Sequence, residues 1–196
     1  MRSLSADEAL EELLAGNRRY VAMRQLYPRQ NRVQRQALLD GQYPFAAILS
    51  CSDSRVPSEL IFDQGLGDLF IVRTAGHVID PLILGSLEFA VHVLRVPLVV
   101  VMGHAQCGAV TSAVKGQSLP GNIRAIAEAL QPVVASVRGA AGDPVLNATH
   151  ANAIHTAERL IHDSAILAEA AAKGQLKIVP AYFDLKTSTV QLLGEG

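Results

Sequence analysis

Two cysteines, no tryptophan and a net charge of −1 across 196 residues exclude several classes of protein at once. Two thiols cannot build the disulfide framework of a secreted scaffold in a chain of this size. With 17 Lys+Arg against 18 Asp+Glu there is no basic field for nucleic acid and no acidic tail. Basic residues do gather at Arg18-Arg19 and between Arg24 and Arg35, but apolar and amide side chains dilute them, as on a solvated or interface face. The apolar runs at 45–49 and 98–102 are too short to cross a bilayer. No basic-then-apolar leader stands before the capping-box pattern Ser5-Ala6-Asp7-Glu8, so the expectation is a soluble, cytoplasmic protein. No repeat, linker or low-complexity segment divides the chain, which predicts a single domain over 1–196.

What is present is apolar and periodic. Hydrophobic residues make up 49% of the chain, ample for a buried core. Leu10, Leu13, Leu14, Tyr20 and Val21 recur at helical spacing over 5–23, and a second, short helix is predicted over Arg32–Asp40, stopping at Gly41. This helical arm, residues 1–40, has a long connection and a modest apolar stripe. It is expected to pack on a partner subunit, with its own domain as the simpler alternative. Strands are predicted at Phe45–Ser50, Leu69–Arg73, Leu98–Met102 and Lys177–Tyr182, with Thr189–Leu193 as an edge strand. Helices are predicted at Glu59–Phe62, from Asp80 to about Leu94, from Gly108 to about Lys115, over 122–137, and without interruption over 146–172. The alternation implies an α/β fold: a central, mostly parallel β-sheet of four strands plus an antiparallel edge strand, flanked by helices.

The chemistry sits at two strand ends. Cys51-Ser52-Asp53-Ser54-Arg55 follows the apolar run 45–49, and His104-Ala105-Gln106-Cys107-Gly108 follows the run 98–102. In an open α/β sheet the C-terminal strand edge is where ligands bind. Cys51, His104 and Cys107 can meet there around one Zn²⁺, and a Cys₂His set leaves a fourth position open, the catalytic pattern. Asp53 could fill that position. Two thiolates already neutralise the ion, however, and Arg55 can hold Asp53 aside in a bidentate pair. A water at the open position would be less acidic than in a His₃ site, where its pKa is ~7, so activity is expected to favour alkaline pH. The plainer alternatives are a Cys51–Cys107 disulfide and an ordinary structural ion pair between Asp53 and Arg55.

With these motifs the chain resembles a β-class carbonic anhydrase of the plant-type branch. The matching stretches are Cys51-Ser52-Asp53-Ser54-Arg55-Val56-Pro57, Gly67-Asp68-Leu69-Phe70-Ile71-Val72-Arg73-Thr74-Ala75-Gly76 and Gly103-His104-Ala105-Gln106-Cys107-Gly108-Ala109, within a likeness over roughly 5–193. The resemblance implies one zinc per chain on Cys51, His104 and Cys107, a catalytic dyad of Asp53 and Arg55, and reversible hydration of CO₂ to bicarbonate and a proton with hydroxide as nucleophile. It also implies a homodimer or homotetramer, no nucleic-acid or membrane partner, and a small apolar substrate pocket. Gln42, Phe70, Phe89 and Gly108 match that pocket's positions, Phe89 at a place usually supplied by the partner subunit and frequently Tyr; Phe70 and Phe89 read equally well as core residues. His77 stands where many relatives have Asn and is taken as a turn residue. Ile48 stands where a bicarbonate-inhibited subgroup has Trp, which argues against that allosteric pocket. Ser188 replaces a Gly usual in the last hairpin.

Three rivals remain at this level. An enzyme on the same scaffold could hydrolyse CS₂ or COS. A closed Cys₂HisAsp site would make a non-catalytic zinc domain, although Arg55 would then lack an evident purpose. A redox protein using Cys51 and Cys107 is the third.

Overall fold

Strands written as unbroken apolar runs are covered on both faces, and such strands belong at the centre of a sheet. The computed structural model describes residues 4–194 and places them so. Five strands form one sheet in the order β2-β1-β3-β4-β5: β1 (Ala46–Cys51), β2 (Leu69–Thr74), β3 (Leu98–His104), β4 (Lys177–Phe183) and β5 (Val190–Leu192). β1 to β4 run parallel and β5 pairs antiparallel with β4. Every residue of β1 and β3 is buried.

Side chains alternate between two apolar layers, as the two-residue period of a strand requires. Ala46, Ile48, Val100 and Met102 face one layer, with Leu13 of α1 (Ala6–Val21), Ile61 of α3 (Ser58–Ile61), Val110 of α5 (Gly108–Val114) and Leu130 of α6 (Ile123–Ser136). Ala47, Leu49, Val99 and Val101 face the other, with Leu87 of α4 (Pro81–Glu88), Leu160 of α7 (Pro144–Asp163) and Leu167 of α8 (Ala165–Ala172). The predicted α/β architecture is observed, including the antiparallel edge.

The expected single helix over 146–172 is two helices. Ser164 is extended (φ −128°, ψ 112°); its hydroxyl accepts from the Leu167 amide at 3.2 Å and donates to the Glu88 carboxylate at 2.6 Å. A serine that caps a new helix ends the old one without proline or glycine. The helix expected from Asp80 to Leu94 is regular only to Glu88 and widens into a π-turn over Phe89–Val93. The short α2 (Arg32–Ala37) closes three residues earlier than the predicted Asp40.

In the arm, α1 carries the full capping box at Ser5 and Glu8 and buries Ala9, Leu10 and Leu13 on its own sheet. Gly16 is required there: a Cβ would lie 1.7 Å from the Phe62 carbonyl oxygen. Arg19 pairs with Asp63 at 2.6 Å and Arg29 with Asp68 at 2.7 Å, so part of the basic cluster is tied down. By contrast α2 buries nothing, and Leu26, Val33 and Leu39 are 69–77% exposed.

Candidate metal centre and active site

Parallel pairing of β1 with β3 decides the site. The register sets Ser50 beside Met102, so Cys51 and His104 emerge together at the C-terminal edge, and the turn after β3 brings Cys107 back to them. The three ligand atoms lie within 4.8 Å of one another, and all three residues are buried. The two sulfurs are 3.9 Å apart, against about 2.05 Å in a disulfide, so both cysteines are free thiols. The Cys51–Cys107 disulfide is thereby overturned.

The histidine reveals what the cluster can hold. His104 Nδ1 lies 2.8 Å from the Ala105 carbonyl oxygen, which can only accept, so Nδ1 carries the proton. Its Nε2 is then a bare lone pair, buried and with no hydrogen-bond partner. A buried acceptor without a donor costs stability unless something electrophilic fills the gap. Zn²⁺ fits this donor set of two sulfurs and one imidazole nitrogen. The thiols also share charge: hydrogen bonding between them holds the Cys51 pKa far below the usual thiol value and raises that of Cys107.

Asp53 stands outside the ligand set. Arg55 Nε donates to Oδ1 at 2.9 Å and Nη2 to Oδ2 at 2.7 Å, while the Arg55 backbone amide adds a third bond to Oδ1 at 2.9 Å. These bonds from Arg55 bring the Asp53 pKa down to about 2, so it is a carboxylate at any physiological pH. Its Oδ2 lies 3.9 Å from His104 Nε2, at the rim of the cluster. The guanidinium also donates to the Gln106 carbonyl at 3.3 Å, joining the loops after β1 and β3.

Three neighbours escaped the sequence reading as site residues. Arg73 Nε donates to the Cys51 carbonyl at 2.9 Å and Nη2 to the Asp53 carbonyl at 2.6 Å, pinning the loop that carries both. The signal was a guanidinium at the end of an apolar, strand-like run. The Gly76 amide donates to Cys51 Sγ at 3.3 Å. Asn152, on α7, donates to the Gly76 carbonyl at 2.9 Å and contacts His77 Nε2 at 2.8 Å. No spacing in the sequence links residues 75 apart.

Residues 46–190 match the profile of the family described as carbonic anhydrase. The chain is 44% identical over 186 residues to "Carbonic anhydrase 2" of Mycobacterium tuberculosis, covering 93% of this chain and 88% of that one. It is 42% identical over 190 residues to "Carbonic anhydrase" of Mycolicibacterium smegmatis, covering 94% and 91%. The chain belongs to the carbonic anhydrase family. Among solved structures, a tetrameric β-carbonic anhydrase of Sordaria macrospora superposes with a TM-score of 0.77 at 23% identity, over 94% of this chain and 96% of that one. The fold is that of the β class.

The residues expected to line a substrate pocket are divided. Gly108 opens α5 beside Cys107, exposed, with nothing within 4 Å of where a Cβ would stand. Phe70 and Phe89 contact each other with ring centroids 6.4 Å apart. But Phe70 pairs with Ala47 whereas Cys51 pairs with Thr74. That is four residues along the strand, roughly 13 Å away. Gln42 precedes β1 and is exposed, at the strand end opposite Cys51. Within one chain, Gln42, Phe70 and Phe89 lie away from the metal ligands.

Proposed function

We propose that this carbonic anhydrase catalyses the reversible hydration of CO₂ to bicarbonate and a proton, with one zinc ion per chain on Cys51, His104 and Cys107 and with Asp53 and Arg55 as its catalytic dyad. The observation that carries the reading is the unpartnered His104 Nε2 facing two thiols, with a carboxylate clamped aside at 3.9 Å. A bound zinc ion supplies Lewis acidity that makes water a nucleophile near neutral pH. The protein supplies the rest. Arg55 keeps Asp53 from closing the site, and the fork of two N–H groups makes that hold directional. Asp53, always ionised, accepts a hydrogen bond from the attacking water and turns its lone pair toward the substrate. Arg73 and the Gly76 amide hold Cys51 in place.

The apolar wall of the pocket is read as coming from a second copy of the chain. Supporting this are the separation of Phe70 and Phe89 from their own Cys51 and the exposure of Phe89 (46%), Leu82 (80%) and Val93 (54%) on the same face. The bare apolar side chains of Leu26, Val33 and Leu39 fit an arm that also packs across this contact, giving a homodimer or homotetramer. Among the described residues no helix is long and apolar enough to cross a membrane.

Stopped-flow CO₂ hydration from about pH 6.5 to 9, with zinc measured on the same preparation, tests the reading. Turnover that rises with pH at one zinc per chain is expected, because two thiolate ligands leave water less acidic than three imidazoles do. Full zinc occupancy without CO₂ turnover anywhere in the range would sink it, and CS₂ would then be the substrate to try.

A further inference from the structure

The turn Ala75–His77 after β2 is an uncomfortable piece of backbone. Gly76 has φ +66° and His77 has φ +43°, two successive left-handed residues, the second carrying a side chain. Left-handed backbone costs a non-glycine residue about 1–2 kcal/mol, so the surroundings must impose it. The imidazole of His77 is 1% exposed, and Asn152, 4% exposed, is the side chain that meets it.

The hydrogen bonds there admit only one assignment. The Asn152 amide has one atom 2.9 Å from the Gly76 carbonyl oxygen and 2.8 Å from His77 Nε2. A carbonyl oxygen can only accept, so that atom is the NH₂ group. One of its hydrogens serves Gly76 and the other serves His77. Nε2 is therefore the acceptor, and the ring is neutral with its proton on Nδ1, which is buried and unpartnered. Leaving a buried donor unmet is itself unfavourable, so the contact is kept for something other than the stability of His77. What it fixes is the peptide between residues 75 and 77, whose Gly76 amide points at Cys51 Sγ, 3.3 Å away. The helix bearing Asn152 also covers the end of β3: a Cβ on Gly103, next to His104, would stand 3.1 Å from the Thr149 methyl. A single helix thus braces the end of β3, which carries His104, and the turn after β2 whose Gly76 amide meets Cys51.

We propose that Asn152 is a positioning residue of the metal centre: its amide latches the Ala75–His77 turn to α7 and so keeps the Gly76 N–H on the Cys51 sulfur. The bond orients the buried sulfur and stabilises its negative charge. This rests on the reading of Cys51 as a zinc ligand, and goes beyond it by giving a role to a side chain one hundred residues further along.

The test uses the zinc-loaded protein and Asn152→Ala, with Asn152→Asp, which keeps the volume but cannot donate to a carbonyl. Zinc transfer to an excess of a chromophoric chelator is expected to be roughly 10–100-fold faster in both variants, the usual cost of losing support for a metal ligand. In the cobalt-substituted proteins the thiolate-to-cobalt absorption is expected to move to longer wavelength, because a sulfur that has lost its N–H is the better electron donor. A lowered melting temperature with unchanged zinc transfer and unchanged cobalt absorption would mean that Asn152 is merely structural, and would overturn the proposal. Should neither variant fold, the wild type decides: loaded with cadmium-113, its Gly76 amide proton is expected to show coupling to the metal through sulfur, and its absence overturns the latch. A wild type that retains no stoichiometric zinc refutes the metal-site reading itself, a failure distinct from that of the latch.

Discussion

At the scale of single residues, charge and hydrogen-bond geometry decide most of what this site can do. Arg55 is the clearest case, since its planar fork meets both Asp53 oxygens while its backbone amide meets one of them again. A lysine keeps the charge and loses the fork. Arg55→Lys is expected to lower kcat/KM for CO₂ on the order of 10²-fold with zinc content unchanged; a variant as fast as the parent would remove Arg55 from the mechanism. His77 makes a second prediction. Burial holds its pKa down to about 4, against the opposing pull of the nearby Cys51 sulfur. An unfolded histidine takes up its proton near 6.5. Between those values the unfolded chain binds more protons than the folded one, so the stability associated with neutral His77 is full above about 6.5 and is lost as pH falls toward 4. The loss is roughly 3 kcal/mol. Urea unfolding at pH 7 and pH 4.5 should show a smaller acid loss in His77→Asn than in the parent; equal losses would refute the assignment.

At the scale of elements, short polar residues set the boundaries where proline and glycine are missing. Ser164 splits what the apolar spacing over 146–172 would make one helix, because its hydroxyl serves Leu167 and Glu88 at once. Ser188 works in the opposite sense. It turns the chain from β4 to β5 with φ +60°, a conformation that suits glycine, and is held there by its amide bond to the Asp184 carbonyl at 2.8 Å and by Asn17 on its own carbonyl at 3.0 Å. Ser188→Gly removes the steric cost of that conformation, and the flexibility added to the unfolded chain offsets part of it. A gain of about 0.5–1 kcal/mol in chemical denaturation is expected; destabilisation would mean that the serine side chain has a partner in the assembled protein.

At the scale of the molecule, the question is which chain completes which pocket. If Phe89 walls the site of its neighbour, a subunit with Cys51→Ser and a subunit with Phe89→Ala each carry a different defect, and the mixed dimer contains one site with intact ligands and an intact wall. Refolding the two variants together is expected to restore about a quarter of wild-type activity, since half of randomly paired dimers are mixed and each has one good site. No restoration above the sum of the separate variants would place the wall within the same chain, or show that Phe89 is only a core residue packed on Phe70.

The sequence by itself determined the sheet, because β1 and β3 are apolar enough to tolerate only a central position, and it singled out the candidate ligand set, because Cys51 and His104 end those two strands and Cys107 stands in the turn just after. Both follow from local periodicity and from the chemical softness of thiol and imidazole, which need no knowledge of distant contacts. The pairing of Asp53 with Arg55, two residues apart, was legible too; only the tertiary structure decided that the thiols stand 3.9 Å apart unbonded and that Asn152 reaches a turn 75 residues earlier. The reason is physical: these are matters of pairing between residues far apart in the chain. Strand register and helix packing fix them, and no spacing along the chain encodes them.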